Sequence, residues 1–98
     1  MDIKVHSDGR KLNVEVKGRL DTITAPELES KLKENISGIT ELSFDFSALE
    51  YVSSAGLRVL LSAQKIMNKQ GSMVIRNVND SVMNVFDVTG FIDLLAIE

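Results

Sequence analysis

Two hydrophobic periods alternate along this chain, and the alternation restricts its fold more than any single residue does. Ile3 and Val5, then Leu12, Val14 and Val16, recur at every second position, the pattern of half-buried strands. Ser7-Asp8-Gly9-Arg10 lies between them, and Asp-Gly predicts a hairpin that makes the first strand an antiparallel edge. The period then lengthens: Ala25, Leu28, Leu32 and Ile36 lie on one face of a helix. Leu42, Phe44 and Phe46 return to period two over Glu41 to Phe46. A second helix is predicted from about Ser54 to Lys69, with Leu57, Leu60, Leu61 and Gln64 on one side and Val59, Ala63, Ile66 and Met67 widening the apolar surface. Met73-Val74-Ile75 suits an interior strand, and Val82, Val85, Phe86 and Val88 a last helix ending at Thr89-Gly90. Leu94 to Ile97 completes the chain as a short strand or extended tail. From the second strand on, strands alternate with helices, which requires crossovers and a mostly parallel sheet. The class is therefore α/β: a single mixed, mostly parallel sheet with an antiparallel N-terminal edge strand, packed against about three main helices.

The punctuation fits this order. Thr24 is the expected N-cap of the first helix, Glu27 its capping-box partner and Pro26 an early-turn residue. Ser37-Gly38 and Gln70-Gly71 stop the first two helices, and Asn79 or Asp80 caps the third. Open sheets of this kind form sites outside the carboxyl ends of their parallel strands. Two loops, over 18–24 and 47–55, emerge at that edge, so Asp21, Asp45 and Ser54 are expected on one rim. Ser54 stands where a helix begins, in the small-residue junction Ser53-Ser54-Ala55-Gly56. It reads as an N-cap, and also as a place where a phosphate would meet the positive end of the helix dipole.

Composition excludes several functions. Ninety-eight residues suit one domain, 1–98. There is no cysteine and only one histidine, His6, so thiol chemistry and zinc or iron sites are not expected. A net charge of −3 argues against nucleic acid as the main partner. The N-terminus does not read as a signal peptide, and no apolar run reaches the roughly 18 residues of a membrane span, so a cytoplasmic domain without membrane insertion is expected. A serine hydrolase needs a base beside its nucleophile, but His6 belongs to the far end of the sheet, and Ser54 lacks the Gly-x-Ser-x-Gly elbow. Asp21, Asp45 and Ser54 as a small hydrolase, or Asp21 and Asp45 around a magnesium ion, are the catalytic alternatives. Turn and strand-end roles for both carboxylates are favoured over them. No enzyme activity, cofactor or metal is expected.

Three short motifs occur in order. Gly18-Arg19-Leu20-Asp21 precedes the Pro26 helix, Phe44-Asp45-Phe46-Ser47 ends a strand, and Tyr51-Val52-Ser53-Ser54-Ala55-Gly56-Leu57 opens a helix. Together they resemble the STAS-domain anti-sigma factor antagonists, the SpoIIAA-like family, over essentially the whole chain. The resemblance implies the STAS fold and a protein-binding switch. Such a protein binds an anti-sigma factor with a kinase-type ATPase domain and releases a sigma factor. It is turned off by phosphorylation on a serine and restored by a PP2C-type phosphatase. Aligned on Gly56-Leu57, the acceptor is Ser54, with Ser53 the alternative. Asp21, Thr22, Asp45, Ser53, Ser54, Ala55, Gly56, Leu57 and Arg58 are the implied partner-binding residues. The chain departs from the family at Ser53, where aspartate is common. That departure motivates a second expectation, a non-phosphorylated STAS interaction module in a larger signalling or transport assembly.

Overall fold

A computed structural model describes residues 1–98. Strand β1 (Asp2–Asp8) turns through Gly9-Arg10 into β2 (Lys11–Leu20), pairing Asp8 with Lys11 and Asp2 with Lys17. Gly9 takes φ +60°, the left-handed conformation that this tight turn demands and glycine adopts without a steric penalty. The elements that follow are α1 (Ala25–Asn35), β3 (Glu41–Asp45), β4 (Leu49–Val52), α2 (Ser54–Gln70), β5 (Ser72–Arg76) and α3 (Asp80–Thr89). A single turn of 3-10 helix, Phe91–Asp93, leads into the tail.

The main sheet runs β1-β2-β3-β5, antiparallel at the first pair and parallel at the others. Strand β2 serves two partners in succession. Lys11 to Glu15 pair with β3, and Gly18 to Leu20 pair with β4, with a break in register between Gly18 and Arg19. The predicted loop over 47–55 therefore contains a strand. The tail is not a full strand: Ile97 makes one parallel bridge to Ile75, with Ile75 N–H donating to Ala96 and Glu98 N–H to Ile75.

One face of the sheet carries the core. Leu12, Val14, Val16, Leu42, Phe44, Met73 and Ile75 are buried there, along with Leu28 and Leu32 of α1, Leu57, Leu60 and Met67 of α2, and Val82 and Phe86 of α3. Burying each such side chain contributes roughly 1.5–3 kcal/mol, so the face rather than helix propensity fixes where the helices lie. The other face is open and polar. The pairs Asp2–Lys17, Lys4–Glu15 and Asp45–Arg76 juxtapose opposite charges across strands there, whereas Glu15 and Asp45 set like charges side by side. No helix is long and apolar enough to cross a membrane.

The helix ends explain the connections. Asn79 caps α3, accepting from the Val82 N–H at 2.9 Å, while its amide donates to the Leu49 carbonyl at 2.7 Å and ties α3 to β4. Gly90 closes α3 at φ +80°, a left-handed C-cap. At the end of α2, the Gln70 amide donates to the carbonyls of Ile36 and Ile39 beyond α1. Thr24 is not the expected side-chain cap of α1, and no capping box with Glu27 forms. Its hydroxyl is taken up by the preceding turn.

Candidate functional site

That turn begins the rim. Asp21 accepts at Oδ1 from the N–H groups of Ile23 (3.0 Å) and Thr24 (3.1 Å). The Thr24 hydroxyl accepts from the Asp21 N–H at 2.9 Å and donates to the Arg19 carbonyl at 2.7 Å. The short Asp side chain outcompetes Thr24 because it satisfies two backbone donors at once in a turn that the helix itself does not include. The N–H of Thr24, with help from Ile23, the Thr24 hydroxyl and the Arg19 charge, holds the Asp21 carboxyl below its usual range, against a smaller opposing effect of burial. On the other side, the Arg19 guanidinium lies over the Tyr51 ring, 4.3 Å from its centroid, with Nε 4.0 Å from Asp21 Oδ2. Arg19 and Tyr51 are cross-strand partners at the end of β2 and β4.

The second half of the rim is the start of α2. The Ser53 N–H donates to the Leu20 carbonyl at 2.8 Å, and the Ser53 carbonyl accepts the first helical bond from Leu57 at 2.9 Å. Ser53, not Ser54, is thus the N-cap residue, which corrects the sequence expectation. Its hydroxyl is buried and makes no hydrogen bond, so α2 has no side-chain cap. Ser54 occupies the first helical position and is exposed. No acidic residue stands in the first turn to offset the positive end of the helix.

Gly56 sets the height of this junction. A β-carbon there would sit 2.7 Å from Leu20 Cγ and 2.9 Å from Val52 Cγ2, so only glycine lets the first turn of α2 rest directly on the ends of β2 and β4. The structure therefore divides the expected contact residues. Asp21, Thr22, Ser54, Ala55 and Arg58 are wholly or partly exposed. Gly56 and Leu57 are buried in the packing beneath and present no side chain to a partner.

Asp45 leaves the rim altogether. It pairs with Glu15, five residues before Leu20 on β2, which is about 17 Å down the sheet at about 3.3 Å per residue. A common edge for Asp45 and Ser54 requires residues 47–55 to be loop throughout; β4, Leu49–Val52, occupies that stretch and carries the rim beyond Asp45. Asp45 accepts from the Ser47 N–H at 2.9 Å and the Asn77 amide at 3.1 Å, which join the loops after β3 and β5 and hold its carboxyl below the usual range. Asp21 and Asp45 are too far apart to share a metal ion or divide acid–base work. His6 pairs with Asn13 and lies 3.6 Å from Glu15, still farther from Ser54. A Ser-His-Asp arrangement does not exist here. Two rim residues are not singled out by sequence reasoning: Ile23, an exposed apolar side chain in a polar turn outside the motifs, and Tyr51, which lies within the third motif but whose contact emerges only from its pairing with Arg19.

The STAS domain model matches residues 2–98. This chain is a member of the STAS domain family. Among curated relatives, the anti-sigma-B factor antagonist of Bacillus subtilis is 28% identical, over 99% of this chain and 90% of its own length. Among solved structures, the anti-sigma factor antagonist from Mycobacterium paratuberculosis superposes with TM-score 0.87 at 23% identity, covering 98% of this chain and 83% of that one. The Bacillus cell fate determinant SpoIIAA, solved in its phosphorylated form, superposes with TM-score 0.77 at 16% identity, covering 99% and 91%. The mixed sheet with three helices is the STAS fold, as the motifs implied.

Proposed function

We propose that this STAS domain is a cytoplasmic anti-sigma factor antagonist. It binds an anti-sigma factor bearing a kinase-type ATPase domain and so frees a sigma factor. Phosphorylation on Ser54 ends that binding, and a PP2C-type phosphatase restores it. In this cycle the chain is a substrate, and ATP belongs to its partner. The contact surface is the rim of Asp21, Thr22, Ser54, Ala55 and Arg58, with Ser53 beneath it as the N-cap of α2.

The contrast between the two serines carries the reading. Ser54 is an exposed hydroxyl at the first position of a 17-residue helix with no first-turn carboxylate, whereas the Ser53 hydroxyl is shielded. A phosphate on Ser54 gains the free N–H groups and dipole of α2, and Arg58 one helical turn on. Its bulk and its charge of roughly −1.5 to −2 oppose a partner seated on the same rim. The names of the curated relatives support the antagonist role.

The test is incubation with the kinase-type anti-sigma factor of the same organism and ATP, followed by peptide mass spectrometry. Phosphate is expected on Ser54 and absent from the Ser54→Ala variant. Phosphate confined to Ser53 sinks the site assignment. Stable binding to a scaffold or transporter component, with no phosphate at either serine, selects the non-phosphorylated module instead.

A further inference from the structure

Ile23 is 88% exposed, more than any other large apolar side chain of the protein. It sits in a turn held by hydrogen bonds: its own N–H is bound by Asp21, and the next residue, Thr24, is bound through both N–H and hydroxyl. The free chain has therefore met the backbone part of the entropic cost of presenting it. The turn is joined to the residue before the acceptor serine through Leu20, whose carbonyl holds the Ser53 N–H. Beside it stands Arg19, stacked on Tyr51. Its one acidic neighbour lies at 4.0 Å, so most of the guanidinium donors remain free. An exposed isoleucine on a hydrogen-bonded turn that follows a stacked arginine and a half-exposed tyrosine has the chemistry of a binding hot spot.

We infer that Ile23, flanked by the Arg19–Tyr51 stack, is the anchor through which the anti-sigma factor recognises this chain, Ile23 entering an apolar pocket and Arg19 meeting a carboxylate at that pocket's edge. The inference rests on the antagonist reading and adds what the partner must offer. It also answers the departure at position 53. A buried, uncharged Ser53 hydroxyl gives a partner nothing to grip, so recognition passes to the side chains that the neighbouring turn and strand ends expose.

The experiment measures the Kd of the full chain for the kinase-type anti-sigma factor of the same organism, by titration calorimetry at two salt concentrations. It compares wild type, Ile23→Ser, Arg19→Gln and Val88→Ser. Val88 is 73% exposed on α3 and serves as the apolar control. Ile23→Ser is expected to weaken binding by about tenfold or more. Arg19→Gln weakens it and flattens its salt dependence. Val88→Ser changes little, and all variants keep the wild-type unfolding midpoint, as exposed substitutions do. Wild-type binding with Ile23→Ser within about twofold of it overturns the anchor and leaves the antagonist reading intact. Equal losses for Ile23→Ser and Val88→Ser overturn it as well. Absence of wild-type binding overturns both readings together.

Discussion

Asp21 shows how one side chain can serve the fold and the surface together. Its carboxylate is bound by Thr24 and Ile23 and drawn down by Arg19, so its pKa in the folded chain lies below that in the unfolded chain. A group with a depressed folded pKa contributes stability that is complete above the unfolded value, near 3.8, and is lost as pH falls through the folded value. Asp21→Asn keeps an oxygen for the same two N–H groups and removes only the charge. The expected result is a stability deficit in Asp21→Asn that is constant from neutral pH down to about pH 5 and shrinks toward zero in more acidic solution. Urea unfolding midpoints for both proteins across that range check this. A deficit that grows in acid contradicts the depressed pKa. The wild-type acid limb does not vanish in the variant, because Asp45, bound by Ser47 and Asn77, titrates with the same sign.

At the scale of elements, the seat of α2 on β2 and β4 depends on a missing side chain. Gly56→Ala gains about 1 kcal/mol of helix propensity, but its methyl group meets Leu20 and Val52 at under 3 Å. Overpacking of this kind costs about 1–3 kcal/mol, and Leu20 Cγ is a branch point close to the backbone that cannot swing aside. The net expectation is a loss of up to about 2 kcal/mol by urea denaturation, together with slower phosphorylation at the proposed Ser54 site, which rides on the same turn. Equal or greater stability shows that the helix can lift without penalty. The contact was invisible in the sequence, where Gly56 reads only as a small residue near a helix start. The same holds for β4: Leu49 and Val52 are buried while Glu50 and Tyr51 are exposed, a pattern of neither period, because the register of β2 breaks at Gly18 and Arg19 where β4 pairs. The elements with an unbroken period, β2, β3, α1 and α2, were legible because burial on one face dictates their sequence. The Asp21 turn was legible as a turn but not as the competitor that takes Thr24 from the helix. Ser54 is legible from its motif, whereas its exposure against the shielded Ser53 hydroxyl is set by the packing of α2 on β2 and β4.

For the whole molecule, the decisive question about the proposed switch is whether a phosphate on Ser54 would act through charge or through shape. The chain carries a net charge of −3, and a phosphate brings it to roughly −5. Nothing in the packing obliges the fold to respond, since the Ser54 side chain points away from a core that Gly56 and Leu57 close beneath it. The added charge lies at the uncapped N-terminus of α2, where it stabilises by about 0.3–1 kcal/mol, with Arg58 one turn along the same side. Two observables should therefore move in opposite directions. The phosphorylated chain should unfold at an equal or slightly higher urea concentration, while its affinity for the anti-sigma factor falls by about tenfold or more. Ser54→Asp, with a single charge, should lie between the two states on both axes, and Arg58→Ala should remove part of the gain in stability. A modified chain that loses both affinity and stability would instead mean that the phosphate lifts α2 from Leu20 and Val52. The switch would then be conformational, and the charge at the rim only its trigger.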